Sequence, residues 1–137
     1  MIQEVAAALL FDRNGRLLIY LRDDKPEISY PNHWDLFGGM VEEDETPEHA
    51  LVREVEEELG IRLNMFTLYR DYDSFGESIP NRKYVYVAHV NYIPEELTLR
   101  DGGQYLISIP LSERHNYKFA NILGQIIDDY ANKVEEG

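Results

Sequence analysis

Between Gly38 and Ile61 the sequence reads GGMVEEDETPEHALVREVEEELGI, in which Glu42, Glu43, Asp44, Glu45, Glu48, Glu54, Glu56, Glu57 and Glu58 are set against one permanent cation, Arg53. On a helical wheel at roughly 100° per residue, Glu54, Glu57 and Glu58 fall within one arc, and Leu51, Val52, Val55 and Leu59 form an adjacent apolar stripe. Exposed like charges at this spacing cost roughly 0.2–0.5 kcal/mol per pair. Two readings follow: a solvated acidic face, or a hard-cation site. Oxygen ligands on one rigid face suit Mg²⁺, which takes a few carboxylates and keeps several waters.

The elements that must position these groups can be read from caps and periodicity. Thr46 to Leu59 reads as a helix with Thr46 as cap, Pro47 at its first position and Gly60 at the left-handed C-terminal position. Upstream, VAAALLFDRNGRLLIYLRDD reads as two strands around a tight Asn14-Gly15 turn, followed by a loop over 25–33 that holds Pro26 and Pro31. Downstream, strands are expected in IRLNMFTLYRDYDS and in KYVYVAHVNYI. ELTLRDGGQYLISIP suggests two short strands about Gly102-Gly103. Ile122, Leu123, Ile126, Ile127 and Tyr130 have helical spacing, so a helix is expected from about Phe119 to Val134. The whole reads as one domain, residues 1–137, of α/β (α+β) type.

The chain has 137 residues, a net charge of −13 and no cysteine. The acidity argues against a nucleic-acid polymer or an anionic membrane as partner, since both attract basic faces. It leaves a nucleotide substrate open, because a bound cation inverts the local sign. Without cysteine there is no disulfide, thiolate site or cysteine nucleophile, which is compatible with a cytoplasmic setting. The segment MIQEVAAALLF lacks a basic start and is read as a strand rather than a signal peptide. No apolar run approaches the roughly 20 residues that span a bilayer.

Gly39, Glu45, Arg53, Glu54, Val55, Glu57, Glu58, Gly60 and Ile61 stand at the spacing Gly-x5-Glu-x7-Arg-Glu-U-x-Glu-Glu-x-Gly-U, where U is a bulky aliphatic residue. This resembles the Nudix box at every specified position. The resemblance implies the Nudix fold, a mixed β-sheet between helices, and hydrolysis of a nucleoside diphosphate linked to another group. It implies that Glu54, Glu57 and Glu58 bind Mg²⁺ or Mn²⁺ and help activate water, with Glu54 a candidate general base. It also implies a structural ion pair between Glu45 and Arg53, and a metal ligand in the Gly39 carbonyl. Glu42, Glu43 and Glu56 match variable positions.

Around the box the match loosens. Many members carry Pro-Gly-Gly where this chain has Phe37-Gly38-Gly39, and some that act on oxidised purine nucleotides carry phenylalanine there. Arg22, Trp34, Phe37 and Gly38 are the substrate-binding candidates, with Asp35 shaping the same pocket and Arg82 and Lys83 as further phosphate contacts. Against these stand plainer roles: Phe37 packing beneath the loop, Trp34 in the core, Arg22 on the surface. Asp101 is a candidate further metal ligand, or simply a turn aspartate before two glycines; Glu77, Glu95 and Glu96 are its rivals. The four histidines have no metal-ligand spacing. Tyr84 and Tyr86 share one sheet face and are expected in the core. The resulting expectation is a Mg²⁺-dependent pyrophosphohydrolase acting on a small nucleotide-type substrate, with a homodimer as a further possibility. The alternatives are a non-catalytic nucleotide-binding regulatory module on the same fold and, less favoured without cysteine, an isoprenoid-diphosphate type isomerase.

Overall fold

In the computed structural model, residues 2–74 and 80–136 are described. The order is β1 (Gln3–Phe11), β2 (Leu17–Leu21), β3 (Trp34–Asp35), β4 (Phe37–Met40), α1 (Pro47–Leu59), β5 (Thr67–Ser74), β6 (Asn81–His89), β7 (Tyr105–Ile109) and α2 (Leu123–Glu136), with single 3₁₀ segments at Pro94–Glu96 and Leu111–Asn116. The strands make one mixed sheet along the path β3-β2-β1-β6-β5, with β4 on β1 and β7 on β2. β1 runs parallel to β6 from Gln3↔Asn81 to Phe11↔His89. Its other flank is shared by β4, over Val5 to Ala8, and by β2 at Phe11.

β1 explains the two layers. Successive side chains on a strand point to opposite faces, and VAAALLF is apolar without interruption because both faces are covered. Ala6, Ala8 and Leu10 join Leu51, Val55, Leu59 and Tyr86 in the layer under α1. Leu9 and Phe11 join Val85, Leu123, Ile126 and Ile127 in the layer under α2. Leu51 and Val55 are fully buried. At roughly 1.5–3 kcal/mol for burying such a side chain, the stripe outweighs the few tenths of a kcal/mol of each like-charge pair on α1.

The caps of α1 form as expected. Thr46 accepts from the His49 amide at 3.2 Å, Pro47 opens the helix, and Gly60 closes it at φ 72° with its N–H on the Glu56 carbonyl. Tyr84 and Tyr86 both pack in the α1 layer.

Other boundaries differ from expectation. The first hairpin has a five-residue connection, since Phe11 pairs with Leu17, and only Gly15 there has positive φ. The Asp12 carboxylate shapes the turn by accepting the amides of Asn14 and Arg16, both at 2.9 Å. Residues 61–66 form no strand: Ile61 and Leu63 are buried against α1, and pairing begins at Thr67. Leu97 and Leu99 likewise pack on the α1 layer without pairing into a strand. The C-terminal helix starts at Leu123, because the chain before it is drawn alongside Trp34: Ala120 N–H donates to the Trp34 carbonyl at 2.9 Å. Among the described residues, no helix is long and apolar enough to cross a membrane.

Candidate active site

Arg53 organises the carboxylates. Its guanidinium makes a two-pronged contact with Glu45 at 2.8 and 2.9 Å and donates to Glu54 at 2.9 Å, to Glu57 at 3.4 Å and to the Met40 carbonyl at 3.0 Å. The fork geometry of arginine allows this; an ammonium could not span the same partners. Glu45 in turn accepts the Glu42 amide at 3.0 Å, which ties the loop before α1 to the helix. The Arg53 contact holds the Glu45 carboxyl down to about 2.

Glu58 turns toward the strand. Its Oε1 accepts the Gly38 amide at 2.9 Å. Burial, reinforced by the negative charges of Glu54, Asp35 and Asp101 and opposed by the Gly38 contact, raises its carboxyl to about 9. Burial also raises Glu54, against the opposing contact with Arg53. Glu57 is half-exposed. Asp101 adds to the field at both Glu54 and Glu58, so the loop over residues 100–103 reaches the cluster. That loop is pinned by the Arg100 amide on the Glu58 carbonyl at 2.9 Å and by the Gly103 amide on Asp23 at 3.1 Å. Glu96, a rival of Asp101, is instead paired with Arg13 at 2.8 Å, and Glu77 lies outside the described residues.

Two glycines make the close approach possible. A Cβ on Gly39 would lie 2.4 Å from the Glu54 carboxyl carbon. At Gly38, φ is 142° and a Cβ would lie 2.1 Å from the Ala6 carbonyl oxygen. The donor set is all oxygen and fits a hard divalent cation. It is not gathered around one point, however: among the described residues no three carboxylate or imidazole side chains stand ready to hold a single ion. Arg53 holds Glu54 and Glu57 through one oxygen each, and the Gly38 amide holds Glu58 through Oε1, which leaves the second oxygen of each carboxylate outside these contacts.

Behind β4, on the α2 side, lies a cleft of about 260 Å³, lined by Val5, Ala7, Tyr20, Arg22, Asp35, Leu36, Phe37, Gly38, Gly39, Asn81, Lys83, Asn121 and Leu123. Ala7 pairs with Gly38 across β1–β4, and this run of small residues leaves the sheet surface open. Arg22 donates to Asp35 at 2.7 Å and to the Ser29 carbonyl at 2.9 Å. Tyr20 also donates to Asp35, at 3.2 Å. Phe37 touches the cleft but is 1% exposed, with its ring 5.0 Å from that of Tyr20 in the α1 layer. Trp34 does not line the cleft; it stands edge-on to Tyr117 at 5.4 Å in the α2 layer. Sequence reasoning missed Tyr20, Asn81 and Asn121. Lys83 left one usable signal, a charged residue inside a valine- and tyrosine-rich strand on the face opposite Tyr84 and Tyr86.

The sequence pattern of the NUDIX domain matches residues 1–119. The chain belongs to the NUDIX family. Over 78 residues this NUDIX chain is 35% identical to an 8-oxo-dGTP diphosphatase of Proteus vulgaris, covering 57% of this chain and 65% of that protein. Over 61 residues it is 43% identical to a CTP pyrophosphohydrolase of Escherichia coli K12, covering 44% of this chain and 42% of that protein. The matches thus span less than two thirds of either relative. The crystal structure of a MutT protein from Methanosarcina mazei Go1 superposes with a TM-score of 0.82 at 18% identity, covering 96% of this chain and 94% of that one, and shares the fold.

Proposed function

We propose that this NUDIX chain, acting as one domain, is a divalent-cation-dependent pyrophosphohydrolase that cleaves a diphosphate linkage in a small nucleotide. The observation that carries the reading is the seating of Glu54 and Glu58 against the Gly38-Gly39 backbone, which also lines a cleft of about 260 Å³. Glu54, Glu57, Glu58 and the Gly39 carbonyl would hold Mg²⁺ or Mn²⁺, with Asp101 adding negative charge. When bound, the cation neutralises phosphate oxygens and lowers the pKa of its water.

The protein's own groups supply the rest. Arg53, anchored by Glu45, sets the positions of Glu54 and Glu57 and fixes the loop through the Met40 carbonyl. Glu54, whose carboxyl lies above its ordinary value, would accept a proton from the attacking water. Arg22 sits at the cleft, where its guanidinium can meet a phosphate while Asp35 keeps it oriented. Positioning and electrostatic stabilisation then supply most of the rate enhancement.

A panel of nucleoside triphosphates, oxidised purine nucleotides, ADP-ribose and nucleotide sugars, with Mg²⁺ or Mn²⁺ and products identified by mass, tests the reading. Release of a nucleoside monophosphate or phosphorylated fragment supports it. Tight, metal-dependent binding without turnover would instead establish a regulatory binding module.

A further inference from the structure

The segment over residues 22–33 folds back on itself, and one side chain just before β7 closes it. Arg22 N–H donates to the His33 carbonyl at 2.9 Å and Asn32 N–H to the Asp23 carbonyl at 3.3 Å, so the two arms of the segment lie side by side. Tyr30 and Asn32 take left-handed φ values of 51° and 59°. Residues other than glycine keep such conformations where their surroundings hold them. Gln104 supplies part of that hold. Its Nε2 donates to the Arg22 carbonyl and to Asn32 Oδ1, both at 2.7 Å, so a single amide grips both arms. The main chain beside it is tied to the same region: Gln104 N–H donates to the Leu21 carbonyl at 2.8 Å, and Gly103 N–H to Asp23 Oδ1 at 3.1 Å. Asp101, in the same loop, adds its charge at Glu54 and Glu58.

The Arg22 side chain reaches across this segment. Its Nε donates to the Ser29 carbonyl and its Nη1 to Asp35, while among the described residues no acceptor meets its Nη2. The guanidinium lines the cleft together with Gly38 and Gly39. We infer that Gln104 is a positioning residue for Arg22. By joining the Arg22 carbonyl to Asn32 it fixes the direction in which the guanidinium leaves the chain, and it ties that guanidinium to the loop that brings Asp101 to the carboxylates. This rests on the pyrophosphohydrolase reading, in which Arg22 meets a phosphate. Arginine recognises phosphate through a planar fork, whose strength depends on its orientation. Gln104 is exposed and does not line the cleft, and its side-chain hydrogen bonds go to Arg22 and Asn32, so its effect on substrate runs through that segment.

The test is a double-mutant cycle between Gln104→Met and Arg22→Met. It is read as KM and kcat on the fastest nucleotide of the substrate panel, and as Kd for inorganic pyrophosphate with Mg²⁺. Gln104→Met should raise KM and Kd roughly fivefold or more and leave kcat within about threefold. Arg22→Met should show a rise at least as large. The double variant should match Arg22→Met within about twofold, because Gln104 then has no guanidinium left to place. Unchanged KM and Kd in Gln104→Met overturn the inference. So does a double variant whose rise is the product of the two single rises, which would mark a support of the loop independent of Arg22, and so does a fall in kcat at unchanged KM. Should Gln104→Met fail to fold, Asn32→Gly takes its place, since glycine suits the φ of 59°. Loss of the Oδ1 contact should then raise Kd roughly twofold or more with Arg22 present and leave it unchanged in Arg22→Met; an equal rise in both, or none, overturns the inference. A protein that binds pyrophosphate with the expected pattern but hydrolyses no nucleotide overturns the hydrolase reading and leaves the role of Gln104 standing, whereas turnover whose KM ignores Gln104→Met does the reverse.

Discussion

The carboxylate cluster and the cleft share the β4 backbone but are built in different ways. The cluster comes from one continuous segment, Gly38 to Glu58, in which a loop and one helix hold nearly every group. The cleft is assembled from β1, β2, the β3–β4 segment, the start of β6 and the residues before α2, so its neighbours lie far apart in the chain. A site made by one helix inherits its geometry from helical periodicity. A site made by five segments inherits it from strand register and from which side chains are small.

The difference is open to attack from its largest consequence downward. Glu58→Gln, which retains an acceptor for the Gly38 amide, should lower turnover by on the order of 10²-fold or more while leaving the fold intact. Steady-state kinetics and a thermal melt measure this, and full activity would remove Glu58 from the cation site. Gly38→Ala strikes the backbone that both regions share. Its Cβ meets the Ala6 carbonyl and its φ disfavours any side chain, so urea unfolding should show a loss of roughly 3 kcal/mol or more. A mild effect would mean that β4 can move away from β1.

Arg53→Lys probes the cluster alone. A lysine cannot reproduce the fork to Glu45 together with the Glu54 and Met40 contacts, so kcat should fall roughly 10- to 100-fold, with KM little changed. A large rise in KM would show that the two regions are coupled. The smallest effect is a pH slope. In the metal-free protein Glu58 keeps its proton up to about 9, against 4.5 as its ordinary value. Between those limits the folded state binds more protons than the unfolded one, so stability falls as pH rises through this window, and the contribution is fully present only below about 4.5. Thermal melts from pH 5 to 9 without metal should show this slope, and Glu58→Gln should flatten it. Since a ligating carboxylate must be deprotonated, the stabilisation by added Mg²⁺ should grow over the same range.

The ease of reading the two regions from sequence follows their construction. The helix bounded by Thr46 and Gly60, its buried stripe and its acidic arc were legible because each depends on contacts within a few residues. The α2 layer was legible from the apolar periodicity of its helix, and β1 from its uninterrupted apolar run. The short strands Trp34–Asp35 and Phe37–Met40 carry little periodicity and exist because β1 and β2 offer partners. Residues 61–66 and 97–99 were read as strand; Ile61 and Leu63 are buried and Leu97 and Leu99 partly so, but burial without a neighbouring strand leaves them outside the sheet. The cleft was nearly illegible: Asn81 and Asn121 are ordinary polar residues until the fold places them beside Ala7 and Gly38. Phe37 and Trp34 drew attention as aromatic residues near the box, yet their rings serve the α1 and α2 layers.

The three alanines of β1 have a consequence for how such a protein can change. Ala6 and Ala8 lie in the layer that carries α1, whereas Ala7 lies in the cleft. A larger residue at position 6 or 8 would push α1 away and disturb every carboxylate on it. A larger residue at position 7 would narrow the cleft and leave α1 where it is. On the proposed reading, the pleat of a single strand separates mutations that alter what is accepted from mutations that alter whether anything is cleaved, and a lineage or an engineer can explore the first at position 7 while holding the second constant.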